Sequence, residues 1–190
     1  MKIRIEMLVT AVVCACVLPM AAHAISLTFA DALGTIVNGE PANATDETAY
    51  VNSLVTRANG VSSAPYDVIG KTYTLITDPA ETLPLAVYDN KIENDLNSFD
   101  ASGYLYMLVK YDGPNGADVV WYLGGLSAAD LASVVIPDKF PKNDDPDKSV
   151  GISHRTFFNK TNLPDGGATI ALLGVALVGV YVVRRRISKV

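Results

Sequence analysis

Tyr104-Leu105-Tyr106-Met107-Leu108-Val109-Lys110-Tyr111, then Asp112-Gly113-Pro114-Asn115-Gly116-Ala117, then Asp118-Val119-Val120-Trp121-Tyr122-Leu123: this stretch decides the fold class of the 190-residue chain. Two apolar runs rich in β-branched and aromatic residues flank six residues dense in Gly, Pro, Asp and Asn. That is the pattern of two antiparallel strands joined by a turn. Strand alternation puts Tyr104 and Tyr106 on one face and sends Trp121 and Tyr122 to opposite faces, so the rings divide between the two sides of a sheet. Exposed, Tyr104, Tyr106 and Tyr122 would form a platform for stacking on sugar rings; buried, they are core, which is the expectation for Trp121.

Outward from the hairpin the β pattern continues. Leu33–Val37, Tyr66–Thr77, Leu83–Tyr88, Ser133–Pro137 and Gly151–Phe158 read as further strands, the second stopped by Asp78-Pro79. Asp138–Lys148, with Pro141 and Pro146 among its charges, reads as a solvated loop, and Asn38-Gly39-Glu40-Pro41 as a turn. One helix is expected, Asp46–Ala58. It has Thr45 or Asp46 as cap, acids in its first turn, Tyr50, Leu54 and Ala58 at helical spacing, and Asn59-Gly60 as its end. Strands at this spacing predict a mainly β body, a small antiparallel β-sandwich with one short helix, spanning residues 25–162.

The two ends are of a different kind. Lys2 and Arg4, an apolar run from Met7 to Leu18, Pro19 and the small residues around Ala22-His23-Ala24 read as a secretory signal peptide, residues 1–24. Cys16 in Val13-Cys14-Ala15-Cys16 is the alternative, a lipidated site. At the other end Leu163-Pro164-Asp165-Gly166-Gly167 precedes 16 residues without a charge, Ala168–Val183, and then Arg184-Arg185-Arg186. Sixteen helical residues reach about 24 Å against a hydrocarbon core of about 30 Å, a short transmembrane helix. The arginines form a membrane stop and place the tail in the cytoplasm, with the body outside. A buried C-terminal core helix is the competing reading, and it fits poorly with a helix lacking a polar face.

Both cysteines lie in the first 24 residues, so the exported body has no thiol and no disulfide. Residues 25–163 carry nine Lys plus Arg against 18 Asp plus Glu, a net charge of −9 that disfavours nucleic acid and anionic lipid. The body has a single histidine, His154, which excludes a Cys/His dyad and a multi-histidine zinc site. Ser153 and His154 are neighbours in a strand and point to opposite faces, so they do not pair as nucleophile and base. His154 is expected in the core or in a cross-strand contact. Asp144, Asp145 and Asp147, or Asp95, Asn97 and Asp100, have the oxygen ligands calcium takes, but neither set fits an EF-hand, and solvated acidic loops are the expectation. No carboxylate pair is marked out for glycoside hydrolysis among the 18 acids. The expectation is a protein with no catalytic residue, no metal and no cofactor. Asn43-Ala44-Thr45 and Asn159-Lys160-Thr161 match the glycosylation sequon.

Leu163-Pro164-Asp165-Gly166-Gly167, the apolar segment and Arg184-Arg185-Arg186 resemble the C-terminal sorting signal of PEP-CTERM proteins, in the variant beginning Val-Pro-Asp-Ser/Gly-Gly, with Leu163 in place of Val. Gly34–Gly39, Gly103–Tyr106 with Lys110-Tyr111, Val120–Gly124 and Gly151–His154 are similar to segments of the same exported proteins. The resemblance implies a substrate of an exosortase, a membrane cysteine-dependent transpeptidase-like enzyme of Gram-negative bacteria that make extracellular polysaccharide. The implied partners are that processing enzyme, the inner membrane and extracellular polysaccharide. The body would be periplasmic while the tail is held, then at the cell surface or outside, as a non-enzymatic surface or matrix protein. Alternatives are a carbohydrate-binding module using the hairpin aromatics and a permanently anchored periplasmic protein. A Gram-positive sortase signal shares Leu163-Pro164-Asp165 but needs Thr where Gly166 stands.

Overall fold

The hairpin is the centre of the molecule. In the computed structural model, which describes residues 24–37, 43–62, 65–112, 116–141, 148–161, 174–177 and 179, strands β6 (Tyr106–Tyr111) and β7 (Ala117–Tyr122) pair antiparallel, with Tyr106 opposite Tyr122 and Lys110 opposite Asp118. Gly113–Asn115, between the two strands in the chain, lie outside the described residues. Nearly every side chain of both strands is buried. Their apolar runs lack the polar alternation of a half-exposed strand because both faces are covered.

Around this pair the main sheet runs β3 (Thr72–Leu75), β2 (Gly34–Val37), β7, β6, β10 (Ser149–Phe158) and β4 (Tyr88–Ile92), antiparallel throughout, with β9 (Lys139–Pro141) pairing the start of β10. A second sheet covers only one of its two faces. One face takes the helix α1 (Ala44–Ala58): Tyr50, Val51, Leu54 and Val55 pack on Ile36, Tyr106, Leu108, Val120 and Phe158. The opposite face packs Met107, Val109, Val119, Trp121 and Phe157 against a small sheet. That sheet is β1 (Ile25–Ser26), β8 (Val134–Val135) and β5 (Ser98–Phe99), with β1 parallel to β8. Its strands are two residues long, too short to bury the main sheet alone, so a 3-10 turn (Phe29–Asp31) and a one-turn helix α2 (Ala128–Leu131) help to close the layer. Trp121 is fully buried there, its Nε1 donating to the Thr28 carbonyl at 3.0 Å. Gly34 lets the helix approach β2: a Cβ there would meet the Thr74 carbonyl at 2.5 Å and Leu54 Cδ2 at 2.7 Å.

Four local expectations change, the first at Asp138–Lys148, where the expected solvated loop opens with β9 and Phe140 is buried in the core. The cap of α1 is Asn43, not Thr45 or Asp46; its side chain accepts from the Thr45 and Asp46 amides at 3.0 and 3.1 Å, which satisfies two of the free donors of the first turn. Tyr66–Thr77 forms a strand only over Thr72–Leu75. Its first half is drawn onto α1 instead, where Asp67 meets Ser53 Oγ at 2.5 Å and Arg57 at 3.0 Å, and Gly70 turns the chain at φ 82°. Leu83–Val87 belongs to no strand, because side-chain amides take the place of a neighbouring backbone. Asn59 exchanges two bonds with Leu83 at 2.8 Å, and Asn52 bonds Ala86 in both directions at 2.6 and 3.2 Å. Asn159, at φ 53°, binds Val87 and Leu85.

Candidate functional site

Thr156 and Phe158 of β10 face α1, because they lie opposite Leu108 and Tyr106 of β6, whose side chains pack under the helix. Without an irregularity Ile152 would share that face. A bulge between Ile152 and His154 inserts one residue, so Ile152 faces the small sheet while His154 lies opposite Lys110 and turns to the helix. One residue of slip exchanges the two faces of a strand. The helix side of β10 therefore carries His154 and Thr156, with Lys91 of β4 opposite Thr156.

Glu47 comes down from the first turn of α1 into this cluster. It is 0% exposed and His154 is 4% exposed. His154 Nε2 lies 2.8 Å from Glu47 Oε1, Thr156 Oγ1 donates to Oε2 at 2.5 Å, and Lys91 Nζ is 3.7 Å from Oε1. A carboxylate only accepts, so Nε2 carries the proton. Burial pushes the Glu47 carboxyl up, but the hydrogen bonds from His154 and Thr156, with the charges of His154 and Lys91, outweigh it and hold the group below its ordinary value. Its place near the positive end of the helix acts in the same direction. Both carboxylate oxygens are engaged, and neither Glu47 nor His154 is open to a substrate, which a general acid or base must reach. The geometry is that of a bridge tying the helix to the sheet. The sequence shows Glu47 only as a first-turn acid; the bulge and the partner 107 residues away leave no local signal.

The expected stacking residues do not form one surface. Tyr106 is fully buried under α1, and its hydroxyl donates to the Pro84 carbonyl at 2.5 Å. Tyr104 packs on the opposite face of the main sheet, 4.7 Å from the Phe157 ring, rather than on the face of Tyr106. Strand alternation does not reach Tyr104 because β6 begins only at Tyr106: Leu105 is a bend, and the Tyr104 amide bonds back to the Ala101 carbonyl. Tyr122 is partly buried on the helix side, its ring 5.6 Å from Tyr106 and its hydroxyl donating to Glu81 at 2.6 Å. Of the calcium candidates, Asp100 accepts from the Ser102 amide at 2.7 Å, and the Asn97 carbonyl from Ile136 at 2.9 Å. Among the described residues no group of three or more His, Cys, Asp or Glu could hold a metal ion; Asp144, Asp145 and Asp147 lie outside them. Both sequon asparagines, Asn43 and Asn159, hold backbone groups.

The last described residue of the body is Thr161, whose amide donates to the Gly103 carbonyl at 2.6 Å. The motif Leu163, Pro164, Asp165, Gly166 and Gly167, the stop Arg184, Arg185 and Arg186, and residues 1–23 of the expected signal peptide lie outside the described residues. Of the expected span 168–183, residues 174–177 and 179 are described; they are helical, and Val175 and Leu177 are exposed. Among the described residues no helix is long and apolar enough to cross a membrane.

Residues 164–187 match the family model of the VPDSG-CTERM motif, so the chain carries a PEP-CTERM-type sorting signal at its C-terminus. A signal of this type implies export, processing by an exosortase-like enzyme and sorting to the cell surface. No curated protein and no solved structure matches the chain.

Proposed function

We propose that the chain is an exosortase-sorted cell-surface or extracellular-matrix protein of a Gram-negative bacterium, whose β-rich body is non-enzymatic cargo associated with exopolysaccharide. In this reading residues 1–24 are removed as a signal peptide. Residues 168–183 hold the chain in the inner membrane, with Arg184–Arg186 in the cytoplasm, until the enzyme acts near Pro164–Gly167. The observation that carries the reading is the sorting motif at residues 164–187, which starts three residues after Thr161, the last described residue of the body. Pro164 cannot join a regular backbone ladder and Gly166-Gly167 resist helix, so the motif's composition suits an enzyme that needs accessible chain beside the membrane. The buried state of Glu47 and His154 favours a cargo role over catalysis.

Tags at both ends and cell fractionation test the sorting. The expected result is a body found at the surface or in the medium without its C-terminal tag, and held in the membrane with that tag in a strain lacking the exosortase. A C-terminal tag that stays on a membrane-held, full-length body in the parent strain would show a permanent anchor instead. The polysaccharide association is tested by retention of the released body on the host's own polymer, and failure to bind it removes that part.

A further inference from the structure

The body displays apolar side chains beside its last described residues. Leu85, Val87 and Tyr88 are 44%, 66% and 39% exposed, while Leu83 and Ala86 of the same segment are buried. This segment is clamped by Asn159, which donates to the Leu85 carbonyl at 2.9 Å and bonds Val87 through both its side chain and its backbone amide. Two residues later Thr161 is fixed to Gly103. The exposed patch and the last described residues of the body are thus one place on the surface.

Only residues 162–167 separate Thr161 from the apolar run that begins at Ala168. However they are arranged, six residues reach at most about 20 Å. A body of this size has a radius of gyration of about 14 Å, so the tether is no longer than the body is wide. While the tail is inserted, this face stays within reach of the lipid headgroups. The net charge of −9 on residues 25–163 opposes close approach of the body as a whole to an anionic surface, so apolar contact rather than charge has to hold a face there. The exposed groups near Thr161 include two aliphatic side chains, a tyrosine ring and Lys160, with the exposed acid Asp89 next to Tyr88 in the chain. Aliphatic contact, an amphipathic ring and a cation suit the bilayer interface.

We propose that the patch formed by Leu85, Val87 and Tyr88 rests on the bilayer surface while the tail is inserted, setting the orientation in which the sorting motif is presented; this rests on the reading of residues 168–183 as a membrane span. The full chain with Cys14→Ser and Cys16→Ser, carrying an environment-sensitive dye on Val87→Cys, is reconstituted into phosphatidylcholine–phosphatidylglycerol vesicles that contain a lipid quencher in the headgroup region. The same dye on Ile69→Cys, a residue 98% exposed in a turn, is the reference. Quenching several-fold stronger at position 87 than at 69 is the expected result. Equal quenching in protein that floats with the vesicles overturns the patch and leaves the span intact. Protein that fails to float overturns the span, and the patch with it. Concentration-dependent energy transfer between dyes on two copies at position 87, without lipid quenching, makes the patch a self-association surface and overturns the proposal.

Discussion

Glu47 and His154, 107 residues apart, meet at 2.8 Å beneath the first turn of α1, and the carboxylate also accepts from Thr156 at 2.5 Å. Removing it takes the acceptor from a buried ring N–H and a buried hydroxyl, and one of two carboxylates from the Lys91 ammonium. Breaking a buried ionic contact from one side costs about 3–5 kcal/mol. Lys91 keeps some contact with water, so the lower end, about 3 kcal/mol, is expected for Glu47→Ala, with Glu47→Gln intermediate. Glu93→Gln, on the exposed partner of Lys91, should change stability by less than about 1 kcal/mol. Urea unfolding followed by the fluorescence of Trp121, the single tryptophan, measures all three.

The same contact fixes an acid limb. Glu47 titrates below its ordinary value of 4.5 in the fold, so in that range the unfolded chain binds more protons than the folded one. The stabilisation is fully present above pH 4.5 and is lost as pH falls through the folded value. Urea midpoints should therefore decline below pH 4.5, and much less steeply in Glu47→Gln. Asp31, held low by hydrogen bonds from Thr28, supplies part of what remains. Parallel declines in the two proteins would remove Glu47 as the cause.

The contrast between the hairpin and this contact shows what the chain reveals in one dimension. Strands β6 and β7 are legible because apolar runs and a Gly-Pro-Asn turn are local signals. The position of His154 depends on a bulge, and a bulge is visible only against the partner strand. Leu83–Val87 reads as a strand because its composition is right, yet its partners are the amides of Asn52, Asn59 and Asn159, which are brought to it by a helix and a left-handed turn. Tyr106 looks available for stacking until α1 is laid across it. The tail is legible in full as a motif because its meaning is carried by order and composition rather than by a folded neighbour.

Those asparagines support a separate expectation. Asn52 is buried and satisfies both backbone groups of Ala86; Asn52→Ala leaves both without partners, at a cost of about 1–3 kcal/mol. Hydrogen exchange should speed at the Ala86 amide, and at Leu83 for Asn59→Ala. Because both clamps hold one segment, the double substitution should cost less than the two single costs combined. Strict additivity would mean that the two clamps act independently.

At the alkaline end the tyrosines under the two faces of the sheet set the limit. Tyr106 and Tyr111 donate to the carbonyls of Pro84 and Pro137 at 2.5 and 2.6 Å, and burial, reinforced by neighbouring Tyr122 and Glu81 for the first and Asp138 for the second, raises both well above 10. Tyr122 is pushed up to about 12 by burial and by its bond to Glu81. Between pH 10 and these values the folded chain keeps protons that the unfolded chain releases, so stability falls as pH rises through 10. Tyrosinate absorbance should rise in two phases, the later one coinciding with the change in Trp121 fluorescence on unfolding. Tyr111→Phe loses its bond to Pro137, about 1 kcal/mol at neutral pH, yet should show a shallower decline above pH 10. A single phase for all nine tyrosines, complete while Trp121 still reports the folded state, would contradict the burial of these hydroxyls.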